Sequence, residues 1–523
     1  MKIPINKNIN IVLSAGLFIV AGLTSCEKSD LLNREPASQI NQANYYTLPD
    51  HAESGLNAIY GETRSFYQVT GGIFSGVYQM LEAPTGTTRT ETGQSADQNA
   101  LHGLTYDGNT SHIAAHWNNT YRLVAQANLV ITRVPAITPM DEGQKKRVLG
   151  QAKFLRAWTY FRAVQLWGDI PLITEPQTTS SPDFFPTRAP KEEVYKLIVQ
   201  DLVDAEAAGL PWTDPTGRIT MAAVKSLLAK VYLTMAGFPL NKGTSHYQLA
   251  ASKALEVITH ANANPTAINL FPTYLDVHDE TKDNRLEHIF MVQYNNSQEG
   301  NPFQASIYPN SKPVSTTSGN GSFAPTQSFY NSYDDTDLRK RNQQGWFYTS
   351  YFTNGTGAPL DLGAPYIFKH FNIASAGSPG RPATGQNHLN VPVIRYAEVL
   401  LIYAEAQNEV TGPNPAAYAA FKRIRDRAQL VTPDISTYTQ STFREAVWRE
   451  RWHELAFEQI TWFDMVRLRK VFNETTKGFD NFVGHVNQST NQALQEKHLL
   501  FPIPATERLN NPNLNPQNPG YSN

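Results

Sequence analysis

The sequence predicts a mainly all-α protein, a tetratricopeptide-like solenoid of helix pairs interrupted by an irregular, loop-rich lobe containing a few short strands. Three observations lead there. Long stretches repeat apolar residues at helical spacing. Two of them form pairs lined by alanines, as in "TMAAVKSLLAKVYLTMAG" followed by "SHYQLAASKALEVITHAN", and the turn signals between them recur. Between the blocks, residues 286–393 turn rich in Gly and Pro around a short apolar run.

In chain order, residues 1–25 carry Lys2 and Lys7, an apolar segment from Ile11 to Leu23, and Leu23-Thr24-Ser25 directly before Cys26. This is the charged, apolar, small-residue order of a secretory leader. The apolar part is shorter than the roughly 20 residues that span a bilayer. Cys26 is the only cysteine, so it closes no intramolecular disulfide and belongs to no cysteine metal cluster. Residues 27–50 read as a polar tether. Helices are expected over 50–67, 112–134, 144–167, 191–208, 220–237 and 246–261, with residues 82–111 as a long Gly-, Thr- and Asn-rich loop of the kind that is usually functional or disordered.

Ala223, Ala229, Ala236, Ala250 and Ala254 mark where two antiparallel helices approach closely. "EHIFMVQY" (287–294) reads as a short buried strand, and Trp346 sits in a second strand-like run. A later helix pair breaks at Gly412-Pro413. The "FREAVWRERWHELAFEQITWFDMVRLRK" segment (443–470) offers Arg451 with Glu454 and Asp464 with Arg467 at i,i+3 spacing, a pattern expected to pair on a helix surface. The prolines of 499–521 exclude regular structure and predict an extended tail laid over the body.

Composition excludes one class of partner. The chain has 44 basic and 46 acidic side chains, and residues 1–25 take away two lysines and no acid, leaving a net charge of −4. With no basic run longer than Lys145-Lys146-Arg147, nucleic acid is not an expected ligand. Catalytic signatures are also missing. "HELAF" (453–457) begins like a zinc-protease helix but has Phe457 in place of the second histidine. "DDTD" (334–337) lacks the Gly and distal Glu of a calcium loop and reads as a helix N-cap with an acidic first turn. No nucleophile elbow or phosphate loop is present, so no catalytic residue, metal ligand or cofactor is assigned. Paired carboxylates for glycoside hydrolysis can lie far apart in sequence and stay open at this point.

Three stretches then carry a resemblance. Arg156–Leu172 reads Arg-Ala-x-x-Tyr-Phe followed by Trp-Gly-Asp-Ile-Pro-Leu. Arg451–Glu458 and Trp462–Arg467 read Arg-x-x-Glu-Leu-x-Phe-Glu and Trp-x-Asp-x-x-Arg. Pro502–Pro504 and Gln517–Tyr521 supply Pro-Ile-Pro and Gln-Asn-Pro-Gly-Tyr. In this order the three resemble the SusD/RagB family of surface lipoproteins of the Bacteroidetes, and the Leu-x-Ser-Cys ending of the leader resembles a bacterial lipobox. The resemblance implies a lipid on Cys26, with the mature protein held at the outer membrane by that anchor alone and facing the cell exterior. It implies a TonB-dependent transporter of the SusC type as partner and a glycan as ligand, with peptide capture or, further off, a surface glycoside hydrolase as alternatives.

On this reading the chain divides into leader 1–25, anchor and tether 26–50, an N-terminal SusD-like helical region 51–280 with its ligand loop 82–111, and a C-terminal region 281–523 with the lobe and the last helices. Sugar binding needs flat rings for the C–H faces of the pyranose and polar groups for its hydroxyls. Arg89, Asn99, His102 and Tyr106 in the first loop region, and Tyr294, Phe303, Tyr308 and Phe323 in 294–330, are the expected contacts.

The anchor is directly testable. A clickable fatty acid fed to cells is expected to label the wild-type protein and to spare Cys26→Ala; an unlabelled wild type would contradict the lipobox reading.

Overall fold

The computed structural model describes residues 45–67, 77–91, 93–295, 300–315, 319–353, 356–372 and 388–522. The leader, Cys26 and most of the tether lie outside the described residues.

The helical body begins with α1 (Pro49–Thr63), the short α2 (Ala96–His102), α3 (Ser111–Arg133) and α4 (Glu142–Trp167). It continues with α5 (Lys191–Glu206), α6 (Met221–Ala236) and α7 (Thr244–Ala263). The caps explain the boundaries. The Asp141 carboxylate accepts from the N–H of Gln144 at 2.8 Å to start α4, and Gly168 at φ +72° ends it. Thr220 caps α6 through the N–H of Ala223 at 3.1 Å. α4 is buried around much of its circumference, with Leu155, Trp158, Phe161 and Leu166 all enclosed, as an inner helix should be.

Close approach needs small residues where the helices touch. A Cβ on Gly150 of α4 would collide with Ala208 just beyond α5, and Ala223, Ala229, Ala250 and Ala254 are fully buried between α6 and α7.

After the lobe, the helical path resumes with α10 (Tyr396–Thr411), which packs across α7 and joins the two halves. α11 (Pro415–Arg427), α12 (Gln440–Glu454) and α13 (Thr461–Leu468) follow. The Pro-rich tail carries a short helix, α14 (Ala505–Asn510), and a 3-10 turn at Pro512–Leu514 where an extended chain was expected; Pro504 precedes the first residue of α14 and so does not interrupt it. The tail lies over the body as anticipated, with residues 501–502 on the end of α4 and Asn511 and Asn513 on the carbonyls of Pro186 and Phe185. The N–H of Phe501 donates to the carbonyl of Leu166 at 2.7 Å, and the Trp167 indole N–H donates to the carbonyl of Pro502 at 3.1 Å.

The lobe holds small antiparallel pairs. β1 (Thr88–Arg89) pairs with β3 (Ala324–Pro325), β2 (His288–Val292) with β6 (Val391–Arg395), and β4 (Phe347–Phe352) with β5 (Pro359–Ile367). Two short helices, α8 (Gln304–Ile307) and α9 (Gln327–Ser332), complete it. Two local expectations are corrected. Residues 82–111 are not structureless, because Ser95 caps α2 by accepting from the N–H of Gln98 at 3.3 Å. "DDTD" starts no helix: Asp337 turns inward to Arg339 at 2.8 Å, while Asp334 and Asp335 pair with Lys477 and Lys340.

The helix-surface pairing expected around residue 451 is corrected most strongly, because these side chains are buried. Arg451 pairs with Asp464 at 2.9 Å, and Arg467 with Asp464 at 2.7 Å and with Glu405. Glu454 goes elsewhere. It joins Arg395 (3.1 Å), Arg427 (2.6 Å) and Arg339 (3.2 Å) in a network that also holds Glu287, Glu450, Glu458 and Lys369. Glu287, Arg339, Lys369 and Arg395 come from the lobe, and Arg427, Glu450, Glu454 and Glu458 from the last helices and the turn after them.

Removing one partner from such a network leaves an unneutralised buried charge, so Arg395→Ala is expected to cost about 3–5 kcal/mol in urea unfolding. An unchanged midpoint would contradict the structural role. Burial alone would raise the Glu458 carboxyl, but Arg395 and Lys369 outweigh it and hold it at about 2. A carboxyl held down in the folded state contributes stability that is present above the unfolded value of 4.5 and is lost as pH falls toward 2. The thermal midpoint should therefore drop below about pH 4.5, and the drop should be shallower in Glu458→Gln.

Candidate ligand-binding site

The two loop regions singled out in the sequence meet. β1 and β3 place Thr88 opposite Pro325 and Arg89 opposite Ala324, and the N–H of Thr326 donates to the carbonyl of Thr87 at 2.9 Å. Beyond the pairing, the N–H of Glu91 donates to the carbonyl of Gly321 at 2.9 Å. The amide Nε2 of Gln98 donates to the carbonyl of Ser322 at 2.9 Å.

Glu91 is the knot of this junction. Its carboxylate accepts from the N–H of Asn310 at 2.6 Å and from the Tyr366 hydroxyl on β5. Gly321 sits at φ +58°, and any Cβ there would run into the Glu91 carboxylate; a Cβ on Gly319 would lie 2.7 Å from the Cβ of Tyr308. Glycine at both positions lets the two backbones close together. Burial and then Glu91 push the Tyr366 hydroxyl up, with Arg89 opposing, so it stays protonated and donates to the carboxylate.

The eight expected contact residues divide. Asn99 is exposed and donates to the carbonyl of Gln94 at 3.1 Å, and Arg89 is half-buried beside Tyr366. The other six are buried. Phe303 and Phe323 pack with Tyr78, at ring-centroid distances of 4.5 and 5.6 Å. Tyr308 lies edge-on to Phe371, and the backbone N–H of Tyr294 donates to the Asn390 side chain at 2.7 Å. Tyr106 stacks on Phe501 at 5.0 Å under the C-terminal tail, away from the β1–β3 junction, and burial lowers His102 to about 4. As placed, Phe303, Tyr308 and Phe323 pack inside the lobe and Tyr106 packs under the tail, and all four are buried.

Sequence reasoning missed Glu91, Asn310 and Tyr366. Glu91 stands in the loop already marked and Asn310 in the second, but Tyr366 is 275 residues from Glu91 and has no local signal. The resulting half-open cluster of the Arg89 guanidinium and the Glu91 carboxylate can meet hydroxyl groups as donor and acceptor. Among the described residues no group of three or more His, Cys, Asp or Glu is placed to hold a metal, and no helix is long and apolar enough to cross a membrane. The carboxyls that burial raises to about 8, Glu82 and Asp283, accept backbone N–H bonds from Gln459 and Asn390.

Comparison with known proteins places this architecture. Residues 354–521 match the model of the SusD family, and residues 72–233 match a model described as starch-binding associating with outer membrane. The crystal structure of a SusD superfamily protein from Parabacteroides distasonis is 32% identical, covers 92% of this chain and 100% of its own, and superposes with a TM-score of 0.83. The chain belongs to the SusD family. SusD-like protein P2 of Formosa agariphila is 29% identical, over 96% of this SusD-family chain and 99% of that protein. A solved laminarin-binding SusD-like protein, at 24% identity and a TM-score of 0.70 over 91% of this chain and 100% of its own, shares the SusD fold.

The junction makes its own prediction. Gly321→Val, which drives a branched side chain into Glu91, is expected to weaken ligand binding at least about tenfold while lowering the thermal midpoint by only a few degrees; unchanged binding would separate the junction from the ligand.

Proposed function

We propose that this protein is a non-catalytic, lipid-anchored surface component that captures oligosaccharides or polysaccharides and passes them to a SusC-type TonB-dependent transporter in the outer membrane. The observation that carries this reading is the junction of β1 and β3 in a SusD-family chain. There Arg89 and Glu91 hold hydroxyl-binding groups where two distant loops meet, with the N–H of Asn310 fixing the Glu91 carboxylate. Arg89 and Asn99 keep access to solvent, as contacts to a sugar chain require.

The family comparison supports the ligand class. One matching model is described as starch-binding and outer-membrane-associated, and one solved relative binds laminarin. Support for a binder rather than an enzyme comes from the raised carboxyls. Glu82 is fully enclosed and Glu82 and Asp283 are each tied to a backbone amide, whereas a glycosidase needs two carboxyls facing one open sugar site.

The test is binding of the protein to a panel of polysaccharides and peptides, with the same mixtures assayed later for breakdown products. Retention by a glycan without breakdown, weakened by combined Arg89→Ala and Glu91→Ala, is expected. Peptide binding alone, or turnover that one carboxylate-to-amide change abolishes, would overturn it.

A further inference from the structure

Almost every deeply buried guanidinium in this protein is neutralised by a carboxylate. Arg156 forms a two-pronged pair with Asp201 at 2.8 Å, and Arg339, Arg395, Arg427, Arg451 and Arg467 all have acidic partners. Among the described residues Arg162 has none and is held instead by the Gln459 side chain among aromatic rings. A cleft on another part of the molecule gathers half-buried cations that form no ion pair among the described residues.

The cleft lies between the end of α4, the segment entering α5, the end of α13 and the C-terminal tail, and has a volume of about 750 Å³. That is within the roughly 300–1,000 Å³ of small-molecule sites. Four cationic side chains line it: Arg188, Lys191, Arg469 and Lys497. Among the described residues none of the four forms an ion pair, although ion pairs are abundant elsewhere in the chain.

Two acids, Asp169 and Glu496, share the lining with the four cations. Arg188 donates to the carbonyls of Asp169 (2.8 Å) and Pro516 (3.0 Å) and to the side-chain oxygen of Asn518 (2.6 Å), so it is fixed in place by neutral acceptors, with the Asp169 carboxylate as its nearby acid. The Asp169 carboxylate accepts from the N–H of Lys191 at the start of α5. Among the described residues the Nη1 of Arg469 is buried with no hydrogen-bond partner, and the guanidinium lies 5.1 Å from the Phe238 ring. Burial lowers both Arg188 and Arg469 from the ordinary arginine value and outweighs the opposing pull of Asp169 on the first and of Glu496 on the second. Glu496, the other acid on the lining, is exposed.

The wall is rigid, because Gln517 exchanges hydrogen bonds with the backbone of Ile503 at 2.7 and 2.9 Å, and Asn518 ties the tail to Trp167 and Phe501. Leu499 and Leu500 add an apolar lining against which a pyranose face can lie.

We propose that this cleft is a second ligand site, distinct from the β1–β3 junction, that binds the carboxylate or sulfate group of an acidic oligosaccharide. The four cations outnumber the two acids of the lining, the ligand anion supplies the balance, and the apolar wall takes the sugar ring. The proposal rests on the glycan-capture reading. It widens that reading from neutral sugars to uronate-bearing or sulfated chains.

The experiment is calorimetric titration of the full chain, purified in detergent, with oligogalacturonate, with a neutral glucan oligosaccharide, and with inorganic sulfate as competitor. Oligogalacturonate is expected to bind with an affinity that falls with added salt, and to bind at least about tenfold more weakly to Lys191→Ala with Lys497→Ala. The same variant should keep the thermal midpoint of the wild type, and Glu91→Ala should leave this binding intact. Lys191→Gln with Lys497→Gln repeats the test with less loss of side-chain packing. Oligogalacturonate binding that survives both lysine variants, or that sulfate displaces at equal concentration, would overturn the proposal. Neutral glucan bound with oligogalacturonate ignored would overturn the second site and leave the capture reading standing; silence toward every glycan would overturn both.

Discussion

Arg395 stands among Glu287, Glu454 and Glu458, with all four side chains closed off from water, and the arrangement of the lobe against the last helices depends on that cluster. A guanidinium in such a place tolerates only a narrow geometry, since each carboxylate must arrive in hydrogen-bonding position or the burial of charge becomes prohibitive. Strand β6 delivers Arg395, the turn before β2 delivers Glu287, and the end of α12 delivers Glu454. Lys369, lying 3.9 Å from the Trp346 ring, closes the cluster from the lobe side while donating to the carbonyls of Glu454 and Ala456.

The cluster sits behind the candidate site. Tyr366, which donates to Glu91, is three residues before Lys369 on the same stretch of chain. Trp346 leads directly into β4, the partner of β5. The loops that face solvent are thus carried on strands whose roots are pinned by charge. Hydrophobic packing of Phe303, Phe323 and Tyr78 fills the space between root and rim. Such a scaffold can vary its outer polar groups from one ligand to another while keeping the loops in register.

Much of the fold was legible in the sequence because its signals are local. Apolar periodicity marked α3 to α7 to within a few residues, small side chains marked the close helix pair, and Gly168 and Gly412 marked helix ends. What the sequence hid is what arises between distant residues. Arg451 and Glu454 are one turn apart and would pair on an exposed helix, yet burial opens other partners to each: Asp464 for the first, and Arg395, 59 residues upstream, for the second. The candidate site shows the same limit. Its two loop regions were recognisable from composition, and they do meet, but an aromatic residue in a loop reads alike whether it faces a ligand or the core. Phe303, Tyr308 and Phe323 turn inward, and the groups left at the rim are polar ones whose grouping depends on β1 pairing with β3.

Capture of a glycan at that junction is most directly tested by hydrogen–deuterium exchange with and without a binding polysaccharide. The account predicts slowed exchange at residues 88–94, 308–312 and 319–326, with the core strands β2 and β6 unchanged. Binding that leaves those three segments untouched and slows exchange elsewhere would contradict it.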